Sequence, residues 1–293
     1  MMMNPRSDVR PAFFLLLCAL AVLTVSGCGG TPQAENPPPT ELPNAGPPAA
    51  LPGEGGRWID LTHAFDETTL YWPTDTQGFQ LLRGPAGVTE KGYYYSANRF
   101  AAAEHGGTHL DAPIHFFEGR ATADEVPLQR LIGEAALVDV SAACAEDADY
   151  EIGVGDLRAW EEKHGRQLVD VIVLLRTGWA ERWPNREAYL GTANVGPEAV
   201  AELRFPGLAP EAARWLAEHR APKAVGIDTA SIDFGRSTHF GSHVVLFEHG
   251  IPAFENVALT GEIPETGARV FALPMKIGGG SGGPLRIVAW LPE

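Results

Sequence analysis

The sequence predicts an α/β fold: a single domain over residues 57–293, with a mixed, partly parallel sheet flanked by helices. Three observations predict it. Short β-branched runs bounded by Gly, Pro or Asp recur along this span, as buried strands do. Stretches of helical length lie between several of them. One strand, helix, strand succession is too long for a hairpin and reads as a parallel crossover.

Taken in order, the strand segments are WIDLT (58–62), YYYSANRFA (93–101), AALVDV (135–140), DVIVLLRT (170–177), KAVGID (223–228), ARVFALPMKI (268–277) and PLRIVAWL (284–291). The helical segments are GDLRAWEEKHG (155–165), APEAARWLAEHR (209–220) and GSHVVLFEHG (241–250); Pro210 suits a first helical turn. Strand 170–177, helix 209–220 and strand 223–228 make the crossover. Residues 178–208 form a long connection rich in Trp and Pro, of a length that usually serves a site or an interface. No internal repeat is visible.

Upstream of the domain, Arg6 and Arg10 precede the apolar run AFFLLLCALAVLTV (12–25), followed by Ser26 and Gly27. This is the pattern of a targeting segment, short of the roughly 20 apolar residues a spanning helix needs. Val25-Ser26-Gly27-Cys28 resembles the lipobox of bacterial lipoproteins. That resemblance implies a signal peptide at 1–27, cleavage before Cys28, lipidation of Cys28 and attachment to the membrane through the lipid alone. Gly29, rather than Asp, then implies the outer membrane or the periplasmic face of the cell envelope. A plain secretory signal and a retained anchor are the alternatives. Residues 28–56 read as a tether: from 29 onward half are Pro or Gly, too little apolar surface to offset the entropy of ordering, hence a disordered linker.

The chain has 293 residues, 45% of them hydrophobic, an ordinary proportion for a soluble globule. A formal charge of -15 without any basic stripe argues against nucleic acid as a partner, since phosphate binding relies on clustered Lys and Arg. Three cysteines permit no internal disulfide in an exported product: Cys18 lies in the segment to be removed, Cys28 carries lipid, and Cys144 is alone. A small molecule is the expected partner.

The densest chemistry is HGGTHLDAPIHF (105–116). His105 and His109 are four apart, the spacing of two imidazoles on one helix face, but Gly106, Gly107 and Thr108 disfavour that helix and Pro113 ends it. Counted in twos, positions 105 to 115 read His, Gly, His, Asp, Pro, His, and positions 110 to 116 read Leu, Ala, Ile, Phe. One face is polar and one apolar, the alternation of a half-buried strand. His109 and Asp111 can converge on one cation. A straight strand carries His105 and His115 too far away; the Gly-Gly pair allows a bend inward and Pro113 a turn back. Histidines satisfied by backbone hydrogen bonds are the bland alternative. Three or four nitrogen and oxygen ligands at such short spacing favour a metal site.

The string resembles the H-x-G-T-H-x-D-x-P-x-H signature of the cyclase family of metal-dependent hydrolases, which includes kynurenine formamidases and isatin hydrolases. YWPTDT (71–76) is similar to the family's W-P-G-D segment, with Thr74 where Gly is usual, and GIDTASID, SHVVLF, GIPAFENV and LPMKIGGGSGGP follow in the family's order. The resemblance implies the family's swivelling β/β/α arrangement. It implies that His105, His109 and Asp111 bind metal, that His115 moves protons, and that His243 and Glu255, twelve residues apart, complete the site. Glu255 either shares the proton-moving role or holds a second ion. One or two zinc ions, or manganese, are the implied cofactors, and a dimer or tetramer is the implied assembly.

On their own, His243 and Glu255 are weak candidates. Asp228, Ser231 and Asp233 follow a buried-strand pattern and read equally as strand-end ligands or as loop caps. His63, His164, His219, His239 and His249 have no partner spacing and read as surface or capping residues. Trp72 reads as a substrate-stacking ring or as plain core. GGGSGGP (278–284) lacks the Lys-Ser/Thr of a phosphate loop and reads as a flexible loop at the pocket rim. The expected activity is metal-dependent hydrolysis of a C–N bond, amide, formamide or lactam, in a small aromatic substrate. A non-catalytic envelope protein binding metal or a small ligand, and a lactonase or dehydratase using the same ion, are the alternatives.

Overall fold

The computed structural model describes residues 55–261 and 263–292. The expected signal peptide, the lipidated Cys28 and the tether up to residue 54 lie outside the described residues. Eight strands build the main sheet: β1 (Gly56–Asp60), β2 (His109–Asp111), β3 (Ile132–Asp139), β4 (Ile172–Arg176), β5 (Ala224–Ile227), β6 (Ala253–Glu255), β7 (Arg269–Pro274) and β8 (Gly282–Pro292). Their order is β1-β8-β7-β3-β4-β5-β6-β2. The neighbours β3, β4, β5 and β6 run parallel, and the other pairings are antiparallel. β2 pairs a second time, with Gly282–Pro284 at the start of β8, so the sheet closes on itself.

Closure gives the sheet two different faces, and the side-chain alternation of each strand sorts residues between them. β4 sends Ile172 and Leu174 to one apolar cluster and Val173 and Leu175 to the other; β3 divides Ala135 and Leu137 from Ala136 and Val138 in the same way. The first cluster fills the inside of the closed sheet. The second lies under three helices, α1 (Val154–His164), α2 (Pro210–His219) and α3 (Gly241–Glu248). α2 crosses between β4 and β5 as the βαβ pattern predicts. On β2, Leu110 belongs to the inside cluster, which leaves His109 and Asp111 on the helix-covered face. Among the described residues no helix is long and apolar enough to cross a membrane.

Several segments differ from the sequence reading. Residues 93–101 are not one strand: Tyr94–Ser96 pairs with Ala86–Val88, and Arg99–Ala101 pairs with Gln80–Leu82, in two small antiparallel ribbons apart from the main sheet. Asn98 divides the run, its side-chain oxygen accepting a hydrogen bond from Gly84 N–H. The ribbons leave Leu81, Leu82, Val88, Tyr93, Tyr94, Tyr95 and Phe100 exposed. The connection 178–208 is built of short helical turns and the helix Arg186–Leu190, tied together by Trp179 Nε1 donating to Tyr189 O at 2.8 Å. The strand Ala253–Glu255 went unpredicted because Pro252 interrupts its apolar run, and β8 begins inside the glycine-rich segment rather than after it.

Candidate active site

The floor of the site is the β2–β6 pair. Its register sets Glu255 opposite His109 and Ala253 opposite Asp111, so His109, Asp111 and Glu255 share the helix-covered face by strand geometry alone. Gly107 supplies the bend before β2. Its φ is +56°, and a Cβ there would meet the Phe65 ring at 2.6 Å, so both conformation and space call for glycine. The bend returns His105 to the site, with Nδ1 2.6 Å from Asp111 Oδ1. After Asp111 the chain turns through a 3-10 helix, Pro113–His115, and the His115 ring stacks on His105 with centroids 3.7 Å apart and planes 15° from parallel. The same turn takes Phe116 off the apolar alternation and places it against His243, at 4.6 Å between centroids.

His243 arrives on the first turn of α3. Asp233 accepts hydrogen bonds from Ser242 N and His243 N, at 3.0 and 3.2 Å, and its Oδ2 lies 2.5 Å from His243 Nδ1. His243 Nε2 then faces Asp111 Oδ2 at 3.1 Å and Glu255 Oε1 at 3.0 Å. Glu255 Oε1 is also held by Ile232 N–H at 2.7 Å. Two donor sets result, His105, His109 and Asp111 on one side, and Asp111, His243 and Glu255 on the other. Asp111 belongs to both.

Buried charges shift one another strongly here. Burial opposes the charge on Asp111, but His105 and His109 beside it hold its carboxyl well below the usual range. Burial and the Asp111 charge push Glu255 up. Burial opposes protonation of His109, yet Asp111 and Glu255 outweigh it and lift the imidazole to about 9. His243 is raised well above its ordinary value against the same burial penalty, through hydrogen bonds to Asp111, Asp233 and Glu255. His115 goes the other way: burial lowers it to about 4, more than Asp111 restores.

A divalent cation fits these donors. His109 Nδ1 lies 3.0 Å from Gly107 O, a group that only accepts, so Nδ1 carries the hydrogen. Nε2 is then a buried nitrogen without a hydrogen bond, 3.0 Å from Asp111 Oδ1 and 3.5 Å from Glu255 Oε2. The ion-pair distance and the missing hydrogen bond agree on one point, that these atoms are close but poorly aligned for each other. The two carboxylates favour a positive charge at Nε2, which a proton supplies in the metal-free protein and a cation supplies in its place, and imidazole with carboxylate suits zinc or manganese.

Above the donors lies a cavity of about 260 Å³. His105, His109, Asp111, His115, His243 and Glu255 line its base, and Leu70, Tyr71, Trp72, Phe116, Leu190 and Phe240 its apolar wall. Trp72 packs against Phe205 and Phe240 and also lines the cavity. The three residues with balanced readings separate. Asp228 is a loop cap: it accepts from Thr177 N and Oγ1 and from Gly178 N, while burial raises its pKa to about 6. Asp233 braces His243, and Ser231 lines the cavity. His63 is a correction: it is half-buried, stacked on Trp183 at 4.3 Å, with its pKa lowered to about 4 by burial. Cys144 is buried, its thiol pushed up to about 12 by burial first and nearby carboxylates second.

Four contributors were missed in the sequence: Asn256, Phe240, Glu104 and Ser281. Asn256 Nδ2 donates to Gly107 O at 2.8 Å and its Oδ1 accepts from Tyr189 OH at 3.0 Å, bracing the carbonyl behind His109. Asn256 has φ +51°, a conformation asparagine tolerates better than most, and its place next to Glu255 was the signal available.

Residues 59–234 match a family profile described as putative cyclase. An isatin hydrolase of Roseibium aggregatum is 29% identical over 210 residues, 69% of this chain and 77% of that protein. A kynurenine formamidase of Paracidovorax citrulli is 32% identical over 202 residues, 67% of this chain and 81% of that protein. The solved structure of isatin hydrolase A from Labrenzia aggregata, bound to benzyl benzoate, aligns with a TM-score of 0.72 at 30% identity, over 81% of this chain and 94% of that one. With the profile matched over more than half its length and the fold shared with these hydrolases, the chain belongs to the cyclase family.

Proposed function

We propose that this protein is a metal-dependent hydrolase that cleaves the C–N bond of a small aromatic amide, formamide or lactam. The observation that carries the reading is the pair of donor sets sharing Asp111 at the base of an aromatic-walled cavity, with His115 beside them and in neither set. The relatives named isatin hydrolase and kynurenine formamidase support the same class.

A bound divalent ion supplies a Lewis acid and lowers the pKa of the water it carries, to about 7 for zinc from 15.7 in bulk. The chain's residues do the rest. His105, His109 and Asp111 hold the ion, and His243 and Glu255 with Asp111 hold a second one or, with a single ion, share the handling of protons. Trp72, Phe116 and Phe240 exclude water and orient the substrate ring. His115 is neutral at pH 7, because burial holds its pKa to about 4, so a ring nitrogen is free to take a proton. It accepts the proton of the attacking water as oxygen bonds to the carbonyl carbon, then returns it to the nitrogen as the C–N bond breaks.

The protein acts in the cell envelope on a lipid anchor at Cys28, as a homo-oligomer. Residues 12–28 support the address, and the exposed aromatic residues of the two ribbons support a second copy as the partner. Detergent partition of wild type and Cys28→Ala, and the mass of the purified protein in solution, test these two statements. The activity is tested with isatin, N-formylkynurenine and simple lactones: turnover of at least one C–N substrate, lost on chelation, is expected, and turnover of lactones alone refutes the assignment.

A further inference from the structure

The glycine-rich segment 278–284 is not the flexible loop its composition indicates. It is fastened on both sides of Ser281. Gly279 N–H donates to Asp124 Oδ1 at 2.9 Å, Gly280 O accepts from Ala123 N at 2.8 Å, and Ser281 O accepts from Ala112 N at 2.9 Å. At the centre, Ser281 Oγ lies 2.6 Å from Glu104 Oε2 and 2.8 Å from His105 Nε2. Ser281 N–H donates to the same carboxylate oxygen at 2.9 Å. A Cβ on Gly280 would come within 2.7 Å of Glu104 Oε1, and one on Gly282 within 2.6 Å of His105 Cε1. Glycine on each side of the serine leaves the space in which the three side chains meet.

Counting hydrogens gives these contacts a direction. A serine hydroxyl has one hydrogen, and a carboxylate only accepts, so that hydrogen goes to Glu104. Ser281 Oγ is left as an acceptor toward His105, and Nε2 must carry the hydrogen. Nδ1, 2.6 Å from Asp111 Oδ1, faces the donor set and is the nitrogen left to ligate a metal. We propose that Glu104 and Ser281 are positioning residues that hold His105 in its Nε2–H form, with Nδ1 presented as a ligand beside Asp111. This rests on the metal reading above. A metal-ligating histidine generally donates its other N–H to a carbonyl or carboxylate, which fixes the ring and raises its basicity. His109 has the Gly107 carbonyl in that place and His243 has Asp233. His105 reaches its carboxylate through the serine.

The test reads tautomer and metal affinity rather than turnover. Side-chain 15N NMR of the purified protein is expected to show hydrogen on His105 Nε2, with and without zinc. Ser281→Ala is expected to weaken zinc binding about 10- to 100-fold in a chelator competition, without lowering the Tm of the metal-free protein, and Ser281→Thr to restore it. Glu104→Gln, whose amide can donate to Ser281 Oγ and free the hydroxyl hydrogen for His105, is expected to shift the hydrogen toward Nδ1. A wild-type His105 with hydrogen on Nδ1 alone overturns the proposal whether or not any variant folds. So does wild-type zinc affinity in Ser281→Ala, or an affinity loss that merely tracks a lower metal-free Tm. Absence of zinc uptake by the wild-type protein overturns the metal reading and this proposal with it; indifference of the variants alone overturns only this one.

Discussion

Glu255 stands directly opposite His109 in the antiparallel β2–β6 pair, its Oε2 3.5 Å from His109 Nε2. The two residues are 146 positions apart in the chain, and only the pairing of β2 with β6 makes them neighbours. Side chains on a strand alternate between faces, so a one-residue slip would turn either of them to the apolar inside. Leu110 and Phe254, paired with each other and fully buried in that inside cluster, hold the register by which the site exists.

His115 lies in neither donor set, so its removal separates chemistry from metal binding. His115→Ala is expected to lower kcat by about 10² to 10⁴, the usual worth of a positioned acid–base group, while retaining most of the metal affinity. Steady-state kinetics beside a zinc titration checks this, and equal loss of both undoes the assigned role.

Glu255→Ala removes one donor from the second set and none from the first. The expected outcome is loss of any second equivalent of bound metal with the first retained, read by metal analysis after dialysis against limiting zinc. Loss of all bound metal shows instead that the two sets form a single site.

Metal and proton compete for the same nitrogens. With His109 raised to about 9 and His243 raised well above 6.5, the metal-free protein carries protons there at pH 7 that a bound cation displaces. Apparent zinc affinity is therefore expected to rise with pH up to about 9, with protons released on binding. Calorimetry in buffers of different ionisation enthalpy measures the release, and affinity independent of pH between 6 and 9 contradicts it.

His63 gives a pH effect away from the metal. Its folded pKa, about 4 through burial, lies below its ordinary value of 6.5, so the unfolded chain takes up the proton first. Stability supplied by the neutral ring is present above pH 6.5 and is lost as pH falls toward 4. His63→Phe, which keeps an aromatic ring on Trp183, is expected to lose less stability than wild type between pH 7 and pH 5 in urea denaturation. An identical loss in both shows that His63 does not titrate in this way.

Much of this was legible in the sequence where a local pattern carried it. The crossover 170–228 and the polar face of 105–115 follow from periodicity, and Gly107 and Pro113 bend the chain as their backbone preferences require. What was not legible depended on distant pairing. Glu255 follows Pro252 in a run that does not read as a strand, and only its pairing with β2 and β5 makes it one. His243 has no spacing that links it to Asp111, and without the family resemblance it was one histidine among several. Ser281 sat in a segment whose glycines read as flexibility, whereas in the fold they make room for Glu104 and His105.

The central claim is that a divalent cation held around Asp111 is required for C–N hydrolysis. It is tested most directly by measuring metal content and hydrolysis of isatin or N-formylkynurenine on the same samples, as purified, after chelation and after zinc or manganese is restored, for wild type and Asp111→Asn. The account predicts that bound metal and hydrolysis disappear and return together in wild type and that both are lost in Asp111→Asn. Full hydrolysis by protein stripped of metal, or Asp111→Asn binding metal as tightly as wild type, contradicts it.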